Sequence, residues 1–168
     1  MIFGAPDVLA IEAELASAEG KWFLGRFRLF IQGRAFGDWD DTADLATGAR
    51  ASRLFLRATA ERTRPDLEER SAEEVFFELY GKHAGPKATS RGSWNRSPYV
   101  LDEIGESSLR DRIAVVVMRR RDGFDRVITH DWRTETCFES IIPPRICDSV
   151  VDAYSRWVES LGADAEPR

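Results

Sequence analysis

The sequence has few of the side chains from which catalytic and metal sites are built. It contains two histidines, His83 and His130, and two cysteines, Cys137 and Cys147. A zinc site takes about four nitrogen, thiolate or carboxylate ligands, and this inventory supplies the nitrogen and thiolate ligands poorly. The glycine-rich phosphate-binding motifs GxGxxG and GxxxxGK followed by Ser or Thr are absent from the sequence. We therefore predict that the protein is not an enzyme and binds no metal and no organic cofactor.

Long apolar runs are also missing. The longest uninterrupted run is 113–118, whereas a membrane-spanning helix takes roughly 20 residues. The first residues carry no basic region followed by an apolar stretch, so no secretory signal is expected. We predict a cytoplasmic protein with no membrane partner. The two cysteines are then expected to be reduced thiols, with a disulfide or redox pair as the alternative.

Apolar and aromatic residues, by contrast, are abundant. Of the 168 residues 43% are hydrophobic, and they include five tryptophans and ten phenylalanines, which is too rich a composition for a disordered chain. A chain of this length can bury a core without disulfides or metal, so we predict one domain over residues 1–168. The net charge of -5 argues against nucleic acid as a partner but leaves room for a basic protein.

Periodicity predicts an α+β fold. Strands are predicted over 7–16, 22–32, 35–36, 112–120, 125–132 and 136–142, and helices over 45–63, 71–80 and 145–162. Asp122-Gly123 predicts a type I′ hairpin turn, and the Gly- and Pro-rich segment 82–98 is expected to be a surface loop. Because strands and helices fall in separate groups, we predict an antiparallel sheet of five or six strands with about three helices packed mainly on one face. The predicted core between sheet and helices contains Phe27, Leu29, Ile31, Val115, Val117, Val150, Tyr154 and Trp157.

One possible catalytic or metal-binding cluster surrounds His130. On paper His130 could act with Cys137 or Glu139. Alternate residues on a strand share a face, however, so His130 should lie beside Trp132 while Asp131 points to the other side. We therefore favour a structural role for His130. The arginines 119–121 and Arg126 are interpreted as a solvated hairpin end, with a nucleic-acid patch as the alternative.

The most acidic segment of the chain is 38–44. Its carboxylates could simply precede a helix whose dipole favours them. Alternatively, Trp39 flanked by aspartates resembles the aromatic anchors, surrounded by charge, with which interfaces hold a basic partner. We predict that Asp38, Trp39, Asp40 and Asp41 bind a protein partner, with the alternative that Trp39 fills the core beneath the first helix.

Three stretches of the sequence are similar to a known family. The opening Met1-Ile2-Phe3-Gly4-Ala5-Pro6 with Ala10-Ile11-Glu12, the alternation Gly25-x-Phe27-x-Leu29-x-Ile31-x-Gly33, and Gly105-Glu106-Ser107-Ser108 resemble the immunity protein 42 family of bacterial polymorphic toxin systems. The resemblance lies in strand pattern and turn glycines and covers about a third of the chain.

The resemblance implies a protein that binds a cognate toxin domain and blocks it by occlusion, without catalysis. No functional residues carry over from it, and it predicts no oligomeric state. The alternatives are a small intracellular adaptor or binding module, and a small hydrolase that uses His130.

Overall fold

The computed structural model describes residues 1–20, 22–80, 98–105 and 109–163. His83 and, apart from Pro98, the predicted loop at 82–98 lie outside the described residues, as does most of Gly105-Glu106-Ser107-Ser108.

Five antiparallel strands form the first sheet. The strands β1 (Ile2–Ala5), β2 (Leu9–Glu19), β3 (Trp22–Ile31) and β4 (Arg34–Phe36) follow one another across it, and β5 (Ala43–Asp44) also pairs with β3. Phe23, Phe27, Leu29 and Ile31 all lie on the buried face of β3, as predicted. The short strand β1 is an addition to the prediction.

Three antiparallel strands form the second sheet, β6 (Ile113–Arg119), β7 (Asp125–Asp131) and β8 (Thr136–Ile142), in that order. The predicted hairpin between β6 and β7 is confirmed, but its predicted type I′ turn is wrong. That turn needs a positive φ at both central residues, and here Gly123 has one (86°) while Asp122 does not. The Arg120 amide instead donates to the Phe124 carbonyl across a five-residue loop (2.9 Å).

Three α-helices complete the described fold: α1 (Leu45–Arg57), α2 (Ala72–Leu79) and α3 (Ile146–Ala163). The predicted capping box of α2 is confirmed, because the Ser71 hydroxyl accepts from the Glu74 amide (3.2 Å) while the Glu74 carboxylate accepts from the Ser71 amide (2.9 Å). Helix α1 is shorter than predicted and is followed by a 3-10 turn at Thr59–Arg62. The α+β prediction is confirmed, with the strands divided between two sheets.

The predicted core is confirmed. One buried cluster joins the inward faces of both sheets to α1 and α3, and Trp157 packs against it half-buried. Strand β6 is buried on both sides, since Ala114, Val116 and Met118 belong to a second cluster that α2 covers. The predicted core members found in the first cluster are Phe27, Leu29, Ile31, Val115, Val117, Val150 and Tyr154.

A network of buried charges ties the start of α3 to the rest of the core. The Arg62 side chain is fully buried, and its guanidinium donates to the Asp148 carboxylate and to the Phe55 carbonyl. Arg119 also bonds Asp148 (3.0 Å) and, through Nε, the buried Asp125 (2.9 Å). Strands β6 and β7 and the end of α1 are therefore linked, through Arg119 and Arg62, to one carboxylate, that of Asp148 in the first turn of α3.

A second buried carboxylate, Asp102, makes the stability of the protein depend on pH. Its Oδ1 atom accepts the Val115 amide (2.8 Å), while Oδ2 has no hydrogen-bond partner among the described residues. Burial raises the pKa of Asp102 from 3.8 to about 7. The folded state therefore holds this proton more tightly than the unfolded state, and the protein loses stability as the pH rises from about 4 to about 7.

Replacing Asp102 by asparagine is expected to remove this loss. The amide oxygen of Asn can still accept the Val115 amide, but the side chain no longer titrates. Between pH 5 and pH 8 the unfolding free energy of Asp102→Asn should rise relative to the wild type by about 3 kcal/mol, because the wild type loses about 1.4 kcal/mol for each of the two pH units below its folded pKa. Urea denaturation of both proteins at the two pH values measures it, and parallel pH profiles would contradict the assignment.

Candidate functional site

Asp38, Trp39, Asp40 and Asp41 form a turn, here called the acidic turn, between β4 and β5. Both of these strands pair with β3, so the turn is held by the same strand at its two ends. Gly37 allows the chain to pass close to β3: its φ is 100°, and a Cβ atom placed there would lie 3.1 Å from the Phe27 carbonyl oxygen. The position of the turn is thus fixed by the first sheet.

Hydrogen bonds inside the acidic turn fix its shape. The amides of Asp40 and Asp41 donate to the Asp38 side chain (3.0 Å) and the Asp38 carbonyl (3.2 Å), and the Thr42 amide donates to the Asp41 carboxylate (2.9 Å). The carboxylate that caps α1 is a different one, Asp44, which accepts the Ala46 amide (3.0 Å). The helix dipole therefore explains the carboxylate of Asp44, at the start of α1. It does not explain the carboxylates of the acidic turn, which precedes β5 in the chain.

Trp39 is half-buried and lies against a cation. The Arg28 guanidinium sits 4.8 Å from the centre of the Trp39 ring, and Arg28 Nε bonds the Glu12 carboxylate (2.5 Å). Within the described part of the chain Trp39 belongs to neither core cluster. This geometry favours a surface role for the ring over the alternative in which it fills the core beneath α1.

The acidic turn is one wall of a cleft whose other wall comes from the second sheet. Asp111 and Arg112 precede β6, and Arg133 follows β7. The cleft has a volume of about 380 Å³ and is lined by Gly37, Asp38, Trp39, Asp41, Asp111, Arg112 and Arg133. Asp40 is exposed outside it. The structure thus brings three of the four predicted residues together around the cleft.

The charged side chains of the cleft form no salt bridge with any described residue. Asp38, Asp41, Asp111, Arg112 and Arg133 take part in no salt bridge with any other described residue. Most other arginines of the described chain do, and several of these pairs are partly buried. A cleft with three carboxylates and two guanidinium groups that form no salt bridge within the described chain can form ion pairs of both polarities with another molecule.

Sequence reasoning missed Asp111, Arg112 and Arg133. Each lies near the end of a strand of the second sheet, about 70 to 95 residues along the chain from the acidic turn. No local pattern marks them, because only the packing of the two sheets brings them to the cleft.

The surroundings of His130 are mainly aromatic, with one thiol beside the ring. Its ring stacks on Phe76 (centroids 4.7 Å apart), and its Nδ1 atom lies 3.5 Å from the Cys137 sulfur. Burial lowers the pKa of His130 and raises that of Cys137, so at neutral pH the ring is neutral and the thiol protonated. Cys137 is not joined to Cys147, which is fully buried. Glu139 pairs instead with Arg126 (2.7 Å).

Aromatic rings surround His130 and define what we call the aromatic cluster: Phe76, Phe77, Tyr80, His130 and Trp132. The Trp132 ring lies 4.5 Å from the His130 ring, which confirms that the two side chains share a side of β7. The Phe77 and Tyr80 rings contact the same group. Phe76 and His130 are buried and Tyr80 is half-buried, whereas Phe77 is 61% and Trp132 39% exposed.

The arginines of the β6–β7 hairpin are largely engaged. Arg126 was expected at a solvated hairpin end, and this is wrong: it is 5% exposed and donates to the carbonyls of Leu67 (3.1 Å) and Arg70 (2.8 Å). Arg120 pairs with Asp122 (2.9 Å) at the surface. Arg119 pairs with Asp125, and Arg121 is exposed without a salt bridge to any described residue, so three of these four arginines are neutralised.

The described residues offer neither a metal site nor a membrane-spanning helix. No three His, Cys, Asp or Glu side chains among them meet in an arrangement that could hold a metal ion. None of the helices in the described ranges is long and apolar enough to cross a membrane.

Comparison with known proteins gives two matches. The family model of immunity protein 42 matches residues 1–157. The fold is similar to that in the crystal structure of CdiI from Burkholderia dolosa AUO158, with a TM-score of 0.70 and 21% sequence identity over 96% of this chain and 99% of that chain. At this identity the structural match supports the fold. No curated protein matches the chain.

Proposed function

Because the chain belongs to the immunity protein 42 family, we propose that it binds a cognate bacterial toxin domain and neutralises it by occlusion, without catalysis, in the cytoplasm of the producing cell. Family membership confirms the resemblance seen in the opening residues and in β3. The observation that supports the binding site is the cleft, where a half-buried tryptophan lies among charges that have no salt-bridge partner in the described chain.

The cleft has the physical properties of a protein-binding site. Tryptophan is enriched among the residues that dominate binding energy, because a large rigid ring buries much area at little entropic cost. Trp39 is already oriented by Arg28, which Glu12 holds in turn. The carboxylates attract a basic surface of the toxin and speed encounter, while Arg112 and Arg133 require an acidic group at the matching place. The toxin that fits is therefore one with a mixed-charge surface.

Variants of the acidic turn test this site through binding kinetics. Trp39→Ala is expected to weaken binding by about 2 kcal/mol, roughly thirtyfold, mainly through faster dissociation. Asp40→Lys with Asp41→Lys should slow association and make it less sensitive to salt, because the steering field is reversed. The measurement uses the purified toxin domain encoded beside this protein's gene, at two salt concentrations.

A charge-matched control separates a local effect from a change in net charge. Asp7→Lys with Glu69→Lys alters two exposed carboxylates outside the cleft by the same total charge. It should leave association within about twofold of the wild type. If the acidic-turn variant matches this control, and if Trp39→Ala lowers only the melting temperature, the binding site lies elsewhere on the molecule.

Co-expression tests the proposed function itself. The toxin domain alone should arrest growth of the host cell, and the wild-type protein should restore it. Continued arrest, with both proteins present and folded, would contradict neutralisation of this toxin. Partial protection by Trp39→Ala would link the phenotype to the cleft.

A further inference from the structure

The aromatic cluster lies beside the cleft and exposes two large rings. Phe77, on α2, is more exposed than buried, and its ring lies 5.5 Å from the Phe76 ring and 6.2 Å from the His130 ring. The Trp132 ring also contacts the His130 ring, with the two ring centres 4.5 Å apart. Exposed aromatic rings held in place by neighbours are uncommon on a surface that faces only water, and aromatic residues are enriched at interfaces.

The covalent chain and one hydrogen bond connect this cluster to the cleft. The Trp132 amide donates to the Arg112 carbonyl (3.0 Å), and Arg133 is the next residue along the chain. Both arginines line the cleft. The backbone of Trp132 therefore lies next to two residues that line the cleft.

The cleft alone is too small to be a complete protein–protein interface. Seven residues line it, whereas a stable protein interface takes about 20 to 30 residues, or about 800 Å², from each partner. A toxin domain seated on the cleft must therefore cover the surface around it. Trp132, whose backbone adjoins the cleft, and Phe77, whose ring contacts the same His130 ring, offer exposed apolar area that neighbouring rings hold in place.

We infer that Phe77 and Trp132 form the apolar half of the toxin-binding surface, and that the toxin presents an apolar patch next to its mixed-charge patch. This inference rests on the proposed function. The charged cleft sets the direction and specificity of encounter, while the rings supply desolvated contact area that slows release. The partner is thus a folded domain with both chemistries side by side, rather than a basic peptide that enters the cleft alone.

Single substitutions test the apolar half with the toxin domain encoded beside the gene as the probe. Phe77→Ala and Trp132→Ala are each expected to weaken binding about tenfold or more, through faster dissociation. Leu54→Ala is the matched control, because Leu54 is an exposed apolar residue (43%) on α1 that contributes to neither the cleft nor the aromatic cluster. It should change the affinity less than about twofold. Thermal melting of Phe77→Ala should match the wild type, since most of the ring is in solvent.

The outcomes separate this inference from the proposed function. If Trp39→Ala weakens binding while Phe77→Ala and Trp132→Ala bind like Leu54→Ala, the inference is overturned and the cleft stands. If the wild-type protein does not bind the toxin domain, both fail. If the toxin-free protein is a dimer that Phe77→Ala dissociates, a second copy of the chain covers the rings and the inference is overturned.

Discussion

Replacing Asp148 by alanine is expected to lower the free energy of unfolding by about 3–5 kcal/mol. The substitution leaves the fully buried Arg62 guanidinium without its carboxylate, and removal of one partner from a buried ion pair is far more costly than removal of both. Arg119 loses one contact as well but keeps Asp125. Urea denaturation measures the loss.

A double variant distinguishes an unpaired charge from lost packing. In Arg62→Met with Asp148→Ala, an apolar side chain of similar length replaces the guanidinium, so no buried cation is left alone. This variant should recover at least half of the stability that Asp148→Ala loses. A cost of less than about 1 kcal/mol for Asp148→Ala would show that solvent reaches Arg62 once the carboxylate is gone.

Replacing Tyr154 by alanine is expected to cost about 3–5 kcal/mol, as for other large buried rings. Tyr154 is fully buried on α3, with its ring edge-on to Phe27 (5.6 Å) and Phe3 (6.0 Å), and its hydroxyl donates to the Leu45 carbonyl (3.4 Å). The side chain therefore joins the first sheet, α1 and α3 at one point. Its truncation leaves a cavity at the centre of the larger core.

Tyr154→Phe is the matched control because it keeps the ring and removes only the hydroxyl. Its expected cost is about 1 kcal/mol, the usual net contribution of a hydrogen bond. Differential scanning calorimetry of the two variants compares them directly. Equal destabilisation by Phe and Ala would mean that the hydroxyl, rather than the ring, carries the contribution of Tyr154.

Local chemistry explains which parts of the fold the sequence predicts. The alternation of β3 and the capping box of α2 are written in consecutive residues, so both are confirmed. Strand β1 has only four residues and includes Gly4, so it offers no alternation to recognise. The division into two sheets depends on which strands find each other in space, and hydrophobic periodicity does not encode that choice.

The same contrast applies to the site. Asp38, Trp39 and Asp41 stand out in sequence because they are neighbours, whereas their charged counterparts across the cleft come from the distant ends of β6 and β7. The assignment of these residues to a toxin surface stays a prediction. His130 is the opposite case. In the sequence its neighbours suggested a catalytic or metal-binding cluster, whereas in the fold its ring packs against the rings of Phe76 and Trp132.

The strands on both sides of the acidic turn pair with β3, so the turn becomes ordered when the first sheet forms. The conformational entropy of ordering these four residues is lost when the sheet forms, so a partner meets a rigid turn and does not have to order it. None of the four side chains belongs to a core cluster, so substitutions there should change the stability of the fold little. Under the proposed function the turn is an exchangeable part of the binding surface: grafting a different four-residue turn between β4 and β5 should change the affinity for the toxin while the scaffold still folds.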